Sequence, residues 1–339
     1  MTLVDDRVDE PVGVDGEILP ILRRTADNPS AFLALNQGNE YFTAPGIDGV
    51  VTYRPFGNRY WVQFAGAAAA PELRGALDAA FATAANVAGR RIIAVQLLRG
   101  DAVRAAEKGW TVNQFGTSYS IDLAEFSLRG RKFVKTRNMI ARSRREGVTV
   151  SEVDPALVRD RLAEIDSSWL RDKGWHVKEM RFLIGEREGP GAAHRRTFVA
   201  TVGDRIVAYV SYSPVFGSRP GWLYDLTRRS PDAPPGAIEH IFAEAAETLR
   251  ADGAGWLHLG LTPFVGRDQD NEIPGAANRM TGRLVDLIER RGAFLYPAAG
   301  QLAFKLKWRP QVATPEYVAF PGRIRVRDIW CLARATNAL

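Results

Sequence analysis

Hydrophobic positions change period often along this chain, and each change predicts an element. Arg59–Ala65 (RYWVQFA) reads as a strand. Pro71–Val87 reads as a helix with Pro71 in the first turn, where a missing amide proton is not needed. Arg91–Leu98 (RIIAVQLL) is an apolar run of buried-strand length, followed by a short helix from Asp101 and strands across Trp110–Leu123. Later, Gly221–Leu226 (GWLYDL) predicts a strand and a proline-rich loop runs to Gly236. Ala237–Ala251 is an amphipathic helix and Gly255–Leu261 (GWLHLGL) another strand. Thr281–Arg290 then reads as a helix and Gly292–Leu306 as two strands. The same order occurs twice, which marks a duplicated α/β (α+β) unit, each copy a mixed sheet flanked by helices.

Between the copies lie a short strand at Gly147–Val153 and a helix signal. Asp154 stands at its N-cap and Pro155 in its first turn; Val158, Leu162, Ile165 and Trp169 recur at helical steps, and Gly174 stops it. Trp169 and Trp175 read as core or helix-end packing. Thr197–Thr201 and Ile206–Tyr212 form a hairpin across Gly203–Asp204. The chain therefore divides into a flexible leader (1–18), a first domain (19–128), a basic helix and connection (129–153) and a second domain (154–339).

Composition narrows the class. With 46% hydrophobic and 25% charged residues in 339, the chain is a folded globular protein, and disorder, rods and disulfide scaffolds are excluded. The single cysteine, Cys331, allows no intramolecular disulfide and suits a reducing compartment. Four scattered histidines and one cysteine offer no standard zinc spacing, so no metal is expected. The acidic N-terminus lacks the features of a secretory signal, and no run approaches the ~18 apolar residues of a transmembrane helix. The expected location is cytoplasmic, or peripheral at the inner face of the membrane. The net charge of +6 is concentrated: eight of the 17 residues from Arg129 to Arg145 are basic and none is acidic. Such a segment attracts RNA phosphates or an anionic membrane, although a solvated helix face has the same appearance.

The second half resembles the GNAT acyltransferase plan. In acetyl-CoA enzymes of that plan, backbone amides at a helix N-terminus bind pyrophosphate after a glycine-rich loop. The corresponding loop here, Arg228–Ala237 (RRSPDAPPGA), has three prolines and one glycine. Several stretches in register resemble the synthase domain of the aminoacyl-phosphatidylglycerol synthases (phosphatidylglycerol lysyltransferases), a family with two tandem GNAT-like folds. They are Ser30–Tyr53, Ile121–Gly147, Tyr224–Arg229 (YDLTRR), Leu257–Gly266 (LHLGLTPFVG), Leu302–Pro310 (LAFKLKWRP) and Pro315–Phe320 (PEYVAF). The resemblance implies transfer of an amino acid from aminoacyl-tRNA to the hydroxyl of phosphatidylglycerol or a related acceptor.

It also implies a site. Asp225 and Arg228 match the family's Asp-Leu-Met-Arg, with Thr227 in the methionine position, and Lys305 matches its functional lysine. Asp225 would orient the ammonium or act as base, and Arg228 would hold ribose-phosphate or an oxyanion. Lys305 and Lys307, alternating with apolar residues, are expected on one face of a strand, with Lys305 on the terminal adenosine phosphate. Tyr224, Gly260, Pro263 and Glu316 are expected to line the substrate, and Glu316 stands near the family's arginine slot. Lys135, Arg137, Arg142, Arg145 and Lys307 are assigned to the tRNA, and Asn138 falls in the same family motif. His258 reads as a satisfied core residue. No cofactor is expected beyond aminoacyl-tRNA as co-substrate. The expected partners are that tRNA and an anionic lipid surface or small-molecule acceptor, with no stable protein partner. A soluble acceptor, an acetyl-CoA-type N-acyltransferase and a non-catalytic RNA- or membrane-binding module remain as alternatives.

Overall fold

Hydrogen bonding joins both halves of the chain into one continuous sheet. A computed structural model describes residues 14–173, 184–278 and 298–335. The first half supplies β1 (Glu40–Ala44), β2 (Ile47–Phe56), β3 (Tyr60–Ala69), β4 (Arg91–Leu97) and β5 (Thr111–Asp122). The second supplies β6 (Val148–Val153), β7 (Arg196–Val202), β8 (Arg205–Val215), β9 (Gly221–Arg229), β10 (Trp256–Pro263) and β11 (Val312–Phe320). Their spatial order is β1-β2-β3-β4-β11-β5-β10-β9-β8-β7-β6.

The expected duplication is visible in that order. In each half an antiparallel meander ends in a parallel pair joined by a crossover helix: β3 with β4 through α2 (Pro71–Val87), and β9 with β10 through α6 (Ala237–Ala251). Both parallel ladders are short. The first ends at Phe64↔Val95 and the second at His258↔Leu223, after which the strands splay. Left-handed backbone marks both openings, at Ala65, Gly66 and Gln96 in one half and Gly260 in the other. The last strand of each half then crosses over: β5 pairs with β10, β11 pairs with β4, and the two pair with each other. The segment 312–320, last of the strands in sequence, is therefore central in space.

Helices cover both faces. α2 buries Leu77, Phe81 and Ala85 against β1–β3. On the opposite face of that half, α1 (Val14–Thr25) and α8 (Val326–Ala335) pack with the 3-10 turn Ala31–Leu35. α3 (Arg99–Glu107) packs on β11 and β5, joining a third cluster. In the second half, α4 (Val134–Arg145) and α6 lie together on one face, with α7 (Ala298–Leu306) beside α6. α5 (Arg159–Lys173) packs Leu162 and Ile165 against Tyr209 and Leu226 on the other.

Several sequence expectations need correction. Residues 14–18, assigned to the leader, open α1, and Ile18 is buried because the helix docks on the core. α5 begins at Arg159; Asp154 instead closes a turn, its carboxylate accepting the Ala156 amide at 2.9 Å. The Trp110–Leu123 stretch is a single strand. The 298–306 segment is helical: the Phe-Lys-Leu-Lys alternation is too short to separate the two periods, and Leu306 is in fact exposed. The helix expected at Thr281–Arg290, together with Gly174 and Trp175, lies outside the described residues.

Candidate active site

A β-bulge sets the geometry around Asp225. Residues three apart on a regular strand point to opposite faces. In the β8–β9 ladder, however, Ser211 pairs with Leu226 and Tyr212 with Tyr224, leaving Asp225 as the extra residue. The phase shifts there. Tyr224 faces the α6 cluster, whereas Asp225, Leu226 and Arg228 face the side covered by α5 and the 184–195 loop.

Asp225 is held from several directions. Its Oδ1 accepts the Gly185 amide at 2.5 Å and its Oδ2 accepts the Ser213 hydroxyl at 2.5 Å. Arg195 Nε lies 3.6 Å from Oδ2, and both side chains are only 2% accessible. Arg195 also donates to Ser213 Oγ at 3.1 Å and to Asn36 Oδ1 at 3.0 Å, with its guanidinium 5.1 Å over the Phe32 ring. Asn36 in turn donates to the Ile184 carbonyl at 2.8 Å, and Glu186 accepts the Gln37 amide at 2.8 Å. A segment of the first half thus clasps the loop that covers a carboxylate of the second. Burial raises the Asp225 pKa, and Arg195, Ser213 and Gly185 oppose that rise.

Arg228 is buried and stacked 4.2 Å over Trp169, which gives that tryptophan a packing role at the end of α5. Its Nη1 donates to the Thr227 carbonyl at 3.0 Å, and its Nε lies 3.7 Å from Asp166, which also accepts from Arg187 Nε at 3.1 Å and from the Tyr209 hydroxyl.

A second group gathers at the β9–β10 splay. Lys305 is buried, and its ammonium donates to the carbonyls of Gly260 at 2.8 Å and Leu261 at 2.9 Å. Those carbonyls lie where β10 has left β9, so a lysine from α7 takes the place of the lost ladder. Burial lowers the Lys305 pKa to about 7, against the nearby Glu316 charge. Glu316, fully buried on β11, accepts the Ser118 hydroxyl; burial raises its pKa to about 7, against Ser118 and Lys305. Pro263 and Glu316 flank Gly116 on either side in the β10–β5–β11 ladder. A side chain at Gly116 would come within 2.4 Å of the Thr262 carbonyl, so only glycine fits this crossing. Tyr224 stacks on Phe304 of α7 at 5.4 Å.

The structure therefore gathers Lys305, Gly260 and Glu316 around one point and Asp225 with Arg195 around another, with Tyr224 and Asp225 adjacent on β9. Lys307 does not share the Lys305 face. It follows the end of a helix, donates to Glu239 Oε1 on α6 at 2.6 Å and lies 4.8 Å over Phe304. Asn36, Arg195, Ser213 and Ser118 were not singled out from sequence. Asn36 does fall inside one of the resembling stretches, but nothing local tells that its partner is Arg195.

The basic segment forms a surface. Arg129, Arg131, Lys132, Lys135, Arg137, Arg142, Arg144 and Arg145 are all exposed. Three of them are also engaged: Arg137 with the Leu128 and Gly130 carbonyls, Arg142 with Glu146 and Arg144 with Glu244. Beneath it, α4 closes on the N-terminus of α6. A Cβ at Gly236, whose φ is +87°, would lie 2.2 Å from the Met139 carbonyl of α4. The Ala237 amide is taken by the Pro234 carbonyl at 3.2 Å.

His258 is internally satisfied. Since a carbonyl can only accept, Nε2–H donates to Arg219 O at 2.9 Å, leaving Nδ1 to accept from Ser120 Oγ at 2.8 Å. Burial lowers its pKa to about 4. No group of three or more His, Cys, Asp or Glu residues is placed to hold a metal among the described residues, and no described helix is long and apolar enough to cross a membrane.

Comparison with known proteins extends this picture. Residues 20–320 match the family described as phosphatidylglycerol lysyltransferase, C-terminal. The phosphatidylglycerol lysyltransferase of Bacillus subtilis is 24% identical over 237 residues, covering 68% of this chain. The chain spans about a quarter (26%) of that relative's length. Among solved structures, L-PGS from Bacillus licheniformis superposes with a TM-score of 0.76 at 20% identity, covering 96% of each chain. The C-terminal domain of a protein described as a lysylphosphatidylglycerol synthetase from Agrobacterium fabrum superposes at 0.74 with 24% identity, covering 95% of this chain and 94% of that one. The fold is accordingly the α/β fold of those structures, with two similar units in tandem.

Proposed function

The chain belongs to the phosphatidylglycerol lysyltransferase C-terminal family, and from that premise we propose that it transfers an amino acid from aminoacyl-tRNA to the glycerol hydroxyl of phosphatidylglycerol. One observation carries the choice of donor: α4 lies across the N-terminus of α6, where an acetyl-CoA enzyme of this plan would bind pyrophosphate. The same helix turns four exposed arginines and Lys135 outward, which suits a polynucleotide donor.

The reaction is a transesterification. The acceptor hydroxyl oxygen attacks the aminoacyl carbonyl carbon and forms the new ester bond. The old C–O bond to the tRNA ribose breaks, and the hydroxyl proton ends on the departing ribose oxygen. Because the donor ester is already activated, positioning supplies much of the rate. Asp225 orients the α-ammonium of the amino acid, its charge maintained by Arg195. Arg228, fixed on Trp169, supplies positive charge toward the ribose-phosphate or the developing oxyanion. Lys305 and Glu316 titrate near neutrality beside the splay, the range suited to accepting and returning one proton.

The test is direct. Purified protein is mixed with radiolabelled aminoacyl-tRNAs and a cell extract containing lipids and small metabolites. RNase-sensitive label in the organic phase is the expected result. Label confined to an aqueous product would reassign the acceptor, and no transfer from any charged tRNA would overturn the proposal.

A further inference from the structure

The outer face of α8 combines features that its packing does not require. Its inner face buries Asp328, Cys331 and Leu332. On the outside, Val326 is 88% exposed and Trp330 is 56% exposed, one helical turn apart. Arg334 continues the stripe by another turn, its guanidinium 6.0 Å from the Trp330 ring centre. Arg327 in its first turn is exposed, as are Arg323 and Arg325 in the residues leading into it.

No acidic side chain reaches this surface from residues 321–335. Asp328, the one acidic residue in that stretch, is fully buried. Arg91 meets it with two bonds of 2.9 Å, Tyr60 donates to it at 3.2 Å, and the Arg325 amide at 2.9 Å. Arg91 also donates to the Arg323 carbonyl at 3.0 Å, tying the start of α8 to β4. The chain thus uses its one local carboxylate inward and leaves four arginines outward, two just before an anchored helix and two on it.

We propose that this face is a docking surface for an anionic lipid bilayer. Trp330 and Val326 would seat at the headgroup boundary, with Arg323, Arg325, Arg327 and Arg334 against lipid phosphates. Tryptophan favours that boundary because its ring is apolar and its N–H is polar. Arginines beside it draw the helix to negative lipid, and an amphipathic helix lying in the interface plane buries one apolar stripe. A nearly fully exposed valine favours lipid over RNA, since it offers a polynucleotide neither charge nor a stacking plane. This inference rests on the proposed lipid acceptor, to which it adds the route of approach: the protein works from the bilayer surface through a face separate from α4.

The experiment uses the full chain in co-sedimentation with vesicles of phosphatidylglycerol and phosphatidylcholine, and with phosphatidylcholine alone. The expected result is binding that requires phosphatidylglycerol and weakens with salt. V326S/W330S and R327E/R334E should each lose at least about tenfold in vesicle affinity while melting like the parent. Acyl chains brominated near the headgroup should quench part of the parent's tryptophan emission, and W330F should remove that part while still binding. No phosphatidylglycerol-dependent binding, unchanged binding in both double variants, or loss of RNA binding in place of vesicle binding would overturn the proposal. Transfer to dispersed short-chain phosphatidylglycerol separates docking from chemistry. The double variants should keep that activity and lose it on vesicles. Vesicle effects as expected, with no transfer by the parent protein, would uphold the docking face and sink the transferase reading.

Discussion

Arg195 and Asp225 form an ion pair with 3.6 Å between Nε and Oδ2, inside a clasp made by the first half of the chain. Both side chains are almost wholly withdrawn from water, so each charge depends on the other. R195M should therefore destabilise the protein by about 3–5 kcal/mol, the range for stranding one member of a buried pair. R195M/D225N should recover part of that loss. Urea unfolding of the two variants and D225N closes the cycle, and simple additivity would show that the pair is not coupled.

D225N by itself should fold. It strands the Arg195 charge, and its amide has one acceptor oxygen where the carboxylate has two for the Gly185 and Ser213 donors, so the cost should match that of R195M, about 3–5 kcal/mol. Transfer should fall by at least about a hundredfold, because the ammonium of the amino acid loses its counter-charge. Single-turnover rates with saturating aminoacyl-tRNA provide the check.

Glu316 makes stability depend on pH in a direction opposite to a salt-bridged carboxylate. Its folded pKa is about 7 against a reference of 4.5, so the folded state binds the extra proton between those values. Its contribution is fully present below about pH 4.5 and is lost as pH rises through 7. E316Q removes that titration. The stability of E316Q relative to the parent should rise from pH 4.5 to pH 7.5, on the order of a few kcal/mol. Chemical denaturation at the two pH values measures it, and a difference that does not change with pH would contradict the assignment.

Gly236 is required by its neighbours. An alanine there would sit 2.2 Å from the Met139 carbonyl and adopt a φ of +87°. Backbone must move on one side or the other, so G236A should lower stability by more than about 2 kcal/mol and loosen α4 from α6. Amide exchange across residues 134–145 should accelerate with the loss of melting temperature.

K135E/R145E should leave melting unchanged, since both side chains are exposed. It should weaken binding to uncharged tRNA and reduce the magnitude of the salt slope by about two phosphate contacts. Filter binding at a series of salt concentrations reads both quantities. An unchanged slope would remove α4 from the tRNA path.

Local pattern carried much of the architecture. α2 and α6 follow their apolar periods to the residue, and β4 follows its uninterrupted apolar run, because burial of one stripe or one strand is written in neighbouring side chains. The duplication was legible for the same reason, whereas Asp225, Arg228 and Lys305 are singled out only by the resembling stretches, and the structure shows that all three are buried. The 298–306 helix was misread because four alternating residues fit either period. The pairings that define the site were out of reach of any local signal. Arg195 meets Asp225 only because a bulge rephases β9, and Asn36 reaches Arg195 across the boundary between halves. Lys305 comes near Glu316 because β11 crosses into the first half and lies beside β5, while α7 closes the splay. Elements follow from contacts between residues a few positions apart. The buried charges here are set by contacts that span up to 198 positions, more than half the chain, and those exist only once the exchanged strands have paired.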